Sequence, residues 1–234
     1  MAVAARNGDA AIETVVDLLR GETGAGPLGP VRALASPHAT NEDLAALRSL
    51  VDALGGGDIV YRSPRADDEI PLPGFPGLSR QRDLAPNVQG AELLGMDRVG
   101  EDDARSGIQS LADHRGVLIV LGDELPDSDQ EFGRDAAVFV YLGSYETAAA
   151  AEADAIFPIP TFAEHEGSFT NFGGRIQRFW PALEARGASR PAWHTLGALR
   201  AALTNERAPT TVEDAFSVFT RLVPELDGLS FEGL

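Results

Sequence analysis

The 234-residue chain has no cysteine, and all 19 of its basic residues are arginine, so lysine is missing as well. Without cysteine there is no disulfide framework, no thiolate zinc site, no cysteine-held iron–sulfur cluster and no cysteine nucleophile. Without lysine there is no phosphate-cradling loop of the Walker type. Positive charge is also scarce: 19 basic against 36 acidic residues leave a net charge of −17. Such a balance repels nucleic acid and anionic lipid headgroups, so nucleic acid is excluded as a primary partner. Long apolar runs are absent too. The longest, 117–121 and 136–142, fall far short of the roughly 20 residues that span a bilayer, so no direct membrane insertion is expected. The N-terminus carries acids at Asp9, Glu13 and Asp17 instead of a basic start and an unbroken apolar core, which reads as cytoplasmic, without a signal peptide. The missing lysine fits a GC-rich coding bias. It also fits a high-salt cytoplasm, where charges are screened within about 3 Å at 1 M salt.

What is present alternates. Residues 10–20 place Ile12, Val15, Val16 and Leu19 at helical spacing, and a Gly/Pro-rich link over 21–30 follows. A strand is expected at Val31–Ala35. Thr40, with Asp43 three residues on, then opens a helix over 41–54 that stops at Gly55-Gly56-Gly57, before a second strand at 58–62. Residues 63–100 are rich in proline and glycine and leave room for one helical turn at 88–94. A loop of that length is functional, interfacial or disordered. An acidic helix at 101–113 and a short one at 127–132 flank the apolar run 116–122. A second apolar strand at 136–142, an alanine-rich helix at 146–153 and a third strand at 155–158 follow. Continuous rather than alternating hydrophobicity marks strands covered on both faces. The pattern predicts an α/β fold with a doubly wound, mostly parallel sheet. A hairpin turning at Gly173-Gly174 and two closing helices, 191–203 and 211–222, complete the reading, with Trp180 and Trp193 packed into the core or an interface beneath those helices.

No catalytic set emerges from the residues. Glu164, His165 and Glu166 are adjacent and so diverge on an extended chain, and the other histidines (His38, His114, His194) lie far away in sequence. This segment reads as a polar turn rather than a metal site. Neither Gly143-Ser144-Tyr145 nor Gly167-Ser168-Phe169 matches the strained elbow of a serine nucleophile. Arg175 and Arg178, three apart, fit one solvent contact and one salt bridge.

Four segments carry a family pattern: SYETA at 144–148, AEADAIFPIPT at 151–161, EHEGSFTNFGGRIQ at 164–177 and ASRPAW at 188–193. Their order and spacing resemble the molybdopterin oxidoreductase family. Upstream, SPHATNEDL at 36–44 and APNVQGA at 85–91 are similar to one branch of it, the G subunit of NADH-quinone oxidoreductase, respiratory complex I. The resemblance covers about 31–203, preceded by an N-terminal helix and linker (1–30) and followed by a C-terminal helix and tail (204–234). It implies a molybdopterin-type α/β fold. The family's cysteine-rich iron–sulfur region and its Cys, selenocysteine or Ser molybdenum ligand are missing, Gly173 stands where the family has Glu, and Ser168 replaces Thr. The resemblance therefore implies a non-catalytic part of a peripheral arm, with no cofactor in this chain. Its partners would be other subunits of a respiratory NADH dehydrogenase, through which it would associate peripherally with a membrane. The alternative it leaves open is a partial chain that helps bind molybdopterin with a partner, through Thr147, Glu164, Thr170, Asn171 and Arg175. Family-like sequence so soon after Met1 fits a split or shortened gene.

Overall fold

A computed structural model describes residues 3–4, 8–21, 28–63, 69–75, 77–99, 110–123, 125 and 131–234. Its elements in chain order are β1 (Val3–Ala4), α1 (Gly8–Arg20), β2 (Val31–Ala35), α2 (Asn41–Ala53), β3 (Gly57–Tyr61), β4 (Ile70–Pro71), β5 (Ser79–Arg80) and α3 (Val88–Leu93). There follow β6 (Asp97–Arg98), β7 (Val117–Leu121), β8 (Val138–Gly143), β9 (Ala155–Pro158), β10 (Gly167–Thr170), β11 (Ile176–Phe179), α4 (Ala192–Thr204) and α5 (Val212–Leu222).

Seven strands form one sheet in the order β1-β9-β8-β7-β2-β3-β6, every pairing parallel. From β2 the chain winds outward through β3 and β6. It then returns to the other side of β2 and winds outward again through β7, β8 and β9. This is the doubly wound arrangement, with its reversal between β2 and β7.

The continuous apolar strands explain why both faces must be covered. Val117, Ile119 and Leu121 of β7 point into one buried cluster, while Leu118 and Val120 point into another. Val138, Val140 and Leu142 of β8 alternate with Phe139 and Tyr141 in the same way. On the first face lie α1, α2, α4 and α5, which bury Leu44, Leu47, Leu50, Leu196, Leu199, Phe216 and Phe219. Each such side chain contributes at most about 1.5–3 kcal/mol of hydrophobic stabilisation. The second face is closed by Leu111, Leu125, Phe132, Ala149, Ala150 and Ala153, with Phe132 edge-on to Phe139 at 6.3 Å.

Local signals set the helix ends. Thr40 and Asp43 form a reciprocal capping box on α2, and Thr211 and Asp214 form another on α5. Helix α4 starts at Pro191, whose side chain caps nothing, and ends at Asn205 in the left-handed region, φ 63°.

Three expectations are corrected. The helix at 146–153 is not there. Between β8 and β9 the chain makes only a 3-10 turn at Ala150–Glu152, because Asp154 N–H is drawn back to Phe139 O at 2.9 Å as the strand begins. The 63–100 segment holds more than one helical turn: it contributes the β4–β5 hairpin and the sheet-edge strand β6. Two charged residues carry no hydrophobic signal for β6. It is held instead by its pairing with β3, by Arg98 lying 5.0 Å over the Tyr61 ring, and by the Arg98–Asp83 ion pair. Trp193 is buried as expected, but Trp180 is 65% exposed, with the Arg178 guanidinium 5.0 Å over its ring. Of the helices expected at 101–113 and 127–132, all but 110–113 and 131–132 lies outside the described residues; 110–112 is helical and 131–132 is turn.

Candidate functional site

Open α/β sheets place ligands where the winding reverses, beyond the C-terminal ends of the strands. Here the strand ends are stitched across that point. Ser36 N–H donates to Leu121 O at 2.8 Å, Gly122 N–H to Leu142 O at 2.8 Å, and Ile159 N–H to Gly143 O at 3.1 Å. Gly122 has φ 68°, and a Cβ there would come 3.2 Å from that of Ser36, so the turn after β7 suits glycine. Beyond β3, the Arg62 Nε–H donates to Asp123 Oδ2 at 2.8 Å, bridging the ends of β3 and β7. The crevice left between these ends has a volume of about 230 Å³; His38, Asp43, Ser144, Tyr145, Thr161 and His165 are among its walls.

A polar hub sits beside this crevice on the first turn of α2, where Asn41, Glu42 and Asp43 are all buried. Glu42 accepts from Ser168 N–H at 2.9 Å and from Ser168 Oγ–H at 2.6 Å. Asn41 Nδ2–H donates to Ser168 Oγ at 3.1 Å, and Asn41 Oδ1 accepts from Thr170 Oγ–H at 3.1 Å. Thr170 N–H donates to Asn87 Oδ1 at 2.8 Å, and Asn87 Nδ2–H to Ala39 O at 2.9 Å. Asp43 accepts from Trp193 N–H at 2.8 Å. The α2 terminus thereby holds the β10–β11 hairpin, α3 and α4 together. Burial pushes the Glu42 carboxyl up to about 7, against the lowering effect of its Ser168 bonds, and the neighbouring Asp43 adds to the rise. Sequence reasoning identified the Thr40–Asp43 cap but missed Glu42. Its only sequence signal is a carboxylate in the first turn of a helix, which is ordinary on a surface.

The residues expected at a pterin are distributed. Thr147 Oγ1 accepts from Ala150 N–H at 3.1 Å and caps the 3-10 turn. Glu164 accepts from Thr161 N–H at 2.9 Å and Thr161 Oγ–H at 3.0 Å, which hold its carboxyl below the usual range. Thr170 belongs to the hub. Asn171 Oδ1 accepts from Gly173 N–H at 2.9 Å and Arg175 N–H at 3.0 Å, fixing the hairpin turn, and the Arg175 side chain is exposed. Thr170 and Asn171 line a second cavity of about 410 Å³ between the hairpin and residues 81–89; Thr147, Glu164 and Arg175 do not.

The Glu164-His165-Glu166 run diverges as its adjacency predicts. Glu164 faces Thr161, Glu166 accepts from Arg178 Nε–H at 2.8 Å, and the His165 ring lies 6.0 Å from that of Phe179. Both His165 ring nitrogens are buried with no hydrogen-bond partner. Among the described residues no group of three or more His, Asp or Glu is placed to hold a metal ion, and no helix is long and apolar enough to cross a membrane.

The sheet order and its crevice define an open, doubly wound α/β domain. The molybdopterin oxidoreductase family model matches residues 73–202, more than half of the sequence, and the chain belongs to that family. It is 29% identical to the second G subunit of NADH-quinone oxidoreductase from Rhizobium meliloti, over 96% of its own length and 28% of the relative's. It is also 35% identical to a candidate formate dehydrogenase of Staphylococcus aureus over 41% of its length and 10% of the relative's. The chain thus spans less than a third of the length of these relatives.

Molybdopterin, the group that names the family, carries phosphate. Among the described residues, the crevice lining offers it one carboxylate, Asp43, and no arginine. At the nearby helix terminus Asp43 N–H is already taken by Thr40 Oγ1, and Glu42 and Asp43 oppose the terminal dipole that would attract an anion. The described residues of this crevice do not fit the phosphate-bearing group.

Proposed function

We propose that the chain is a non-catalytic structural part of the peripheral arm of an NADH-quinone oxidoreductase. The observation that carries the reading is the similarity to a G subunit of such an enzyme along nearly the whole chain. Two features support it. The absence of cysteine leaves no thiolate ligands for the iron–sulfur clusters of electron transfer, and among the described residues the crevice at the sheet reversal is lined by one carboxylate and no arginine. On this reading Thr147, Glu164, Thr170, Asn171 and Arg175 serve the local structure they are bonded into, the chain holds no pterin, and electrons travel through clusters on another chain or segment. Attachment to the membrane is through partner subunits, and the chain resides on the cytoplasmic side.

The test is purification of the tagged chain from detergent-solubilised membranes of the cell that makes it. The expected result is co-elution with flavin- and iron–sulfur-containing subunits and with NADH-dependent quinone reduction, and molybdenum well below one atom per chain. Stoichiometric molybdenum or pterin, or elution free of any NADH-oxidising subunit, overturns the reading.

A further inference from the structure

Among the described residues, the hub at the α2 terminus contains one group whose charge no opposite charge offsets. Glu42 is fully buried, and its partners are the N–H and O–H of Ser168, both neutral donors. The charged groups on the elements around it do not help. On α2 the neighbour is Asp43, of the same sign, and Arg48 is paired with Asp52. At the hairpin base Glu166 and Arg178 neutralise each other, and on α3 Glu92 accepts from the Tyr61 hydroxyl. On α4 Arg200 is paired with Glu206, and on α5 Asp214 caps its own helix. His194 and Arg221 also lie on these helices, and the neighbouring charge that shifts Glu42 is Asp43, which raises it further. Burying an ionised carboxylate under two neutral hydrogen bonds is unfavourable, and exposure to water relieves it.

The element lying over Glu42 is the β10–β11 hairpin, whose Ser168 and Thr170 are buried against the α2 terminus. The β10–β11 hairpin is a two-stranded sheet of its own, outside the seven-stranded sheet. An isolated hairpin of this kind is marginal without its packing. Its remaining bonds to the hub, from Asn41 to Ser168 Oγ and from Thr170 to Asn41 and Asn87, join uncharged groups and are independent of charge. The hairpin also supplies one wall of the 410 Å³ cavity, through Phe169, Asn171 and Phe179, against Ala85, Val88 and Gln89.

We propose that Glu42 is a proton-operated latch: protonated, it holds the β10–β11 hairpin on the α2 terminus, and ionised, it favours lifting of the hairpin and opening of the cavity wall. The sign follows from linkage. With the hairpin down the carboxyl titrates at about 7, against 4.5 in water, so the closed form takes up the proton and is favoured at low pH. Closure weakens as pH rises through that window, by up to roughly 300-fold for the full separation of the two values.

Hydrogen–deuterium exchange of the Ser168 and Thr170 amides in the full chain, compared with Glu42→Gln at each pH, tests this. Glutamine stays neutral, and its carbonyl can still accept from Ser168 N–H, so comparison with it removes the intrinsic pH dependence of exchange. The expected ratio of wild-type to variant exchange rises on the order of 10- to 100-fold between pH 5 and pH 8. A ratio that stays flat or falls overturns the proposal. If the variant does not fold, carbon-13 NMR titration of the wild-type Glu42 carboxyl replaces it. A midpoint near 7 shared by the hairpin amide resonances is expected. A midpoint near 4.5, or hairpin resonances that ignore the titration, overturns the latch.

Discussion

Asp43 caps two helices at once. Its Oδ2 accepts from Thr40 N–H at 3.4 Å in the capping box of α2, while its Oδ1 accepts from Trp193 N–H at 2.8 Å, in the first turn of α4. Pro191, at the N-cap position of α4, has no side-chain acceptor, and the carboxylate of a distant helix takes that role. Asp43→Ala is expected to destabilise the chain by about 2–3 kcal/mol, the sum of a lost cap and an orphaned buried amide. Urea unfolding checks it, and Asp43→Asn should recover part of the loss.

Gly90 is held in place by its lack of a side chain. A Cβ there would lie 2.2 Å from Asn41 Oδ1 and 2.3 Å from Asn87 Oδ1. Gly90→Ala should therefore push α3 off the hub and cost about 2 kcal/mol or more, although alanine favours helix. A thermal melt that matches or exceeds the wild type would show that the hub accommodates the methyl group.

The two tryptophans should be separable by fluorescence. Trp193 is 7% exposed and Trp180 65% exposed, so acrylamide should quench one fraction strongly and the other weakly. Trp180→Phe is expected to remove the accessible, red-shifted fraction and leave stability within about 0.5 kcal/mol, as for a surface substitution.

Global stability carries the signature of Glu42. A carboxyl raised on folding lends stability that is fully present below its unfolded value and is lost as pH climbs to its folded value. The difference in unfolding free energy, Glu42→Gln minus wild type, should thus grow by about 3 kcal/mol from pH 4.5 to above pH 7. Chemical denaturation at a series of pH values measures it, and a difference that shrinks with pH would contradict the assignment.

The sequence made legible whatever is decided locally. Strands β2, β7, β8 and β9 stand out as apolar runs, and the Thr40–Asp43 capping box and the Gly173-Gly174 turn are readable from side-chain chemistry over four residues. Strand β6 and the hairpin β4–β5 were not legible, because two-residue strands have no periodicity and their pairing depends on neighbours far along the chain. The alanine-rich run at 146–153 has helical propensity, but the nearby start of β9 overrides it, a tertiary effect on a weak local preference. Glu42 was illegible for a third reason. Its burial is created by Ser168, which is 126 positions away.

That separation has a kinetic consequence. The partners of the α2 terminus lie 126 positions along the chain at Ser168 and 150 positions along at Trp193, and β2 pairs with β7 from the far side of the proline-rich segment. During synthesis α2 and β2 emerge long before any of these. Until then the first turn of α2 is hydrated, Glu42 is an ordinary surface acid and β2 has an open edge. Such long-range closure is slow, so the half-made domain spends that interval with one edge of an apolar strand unpaired, the state from which chains aggregate.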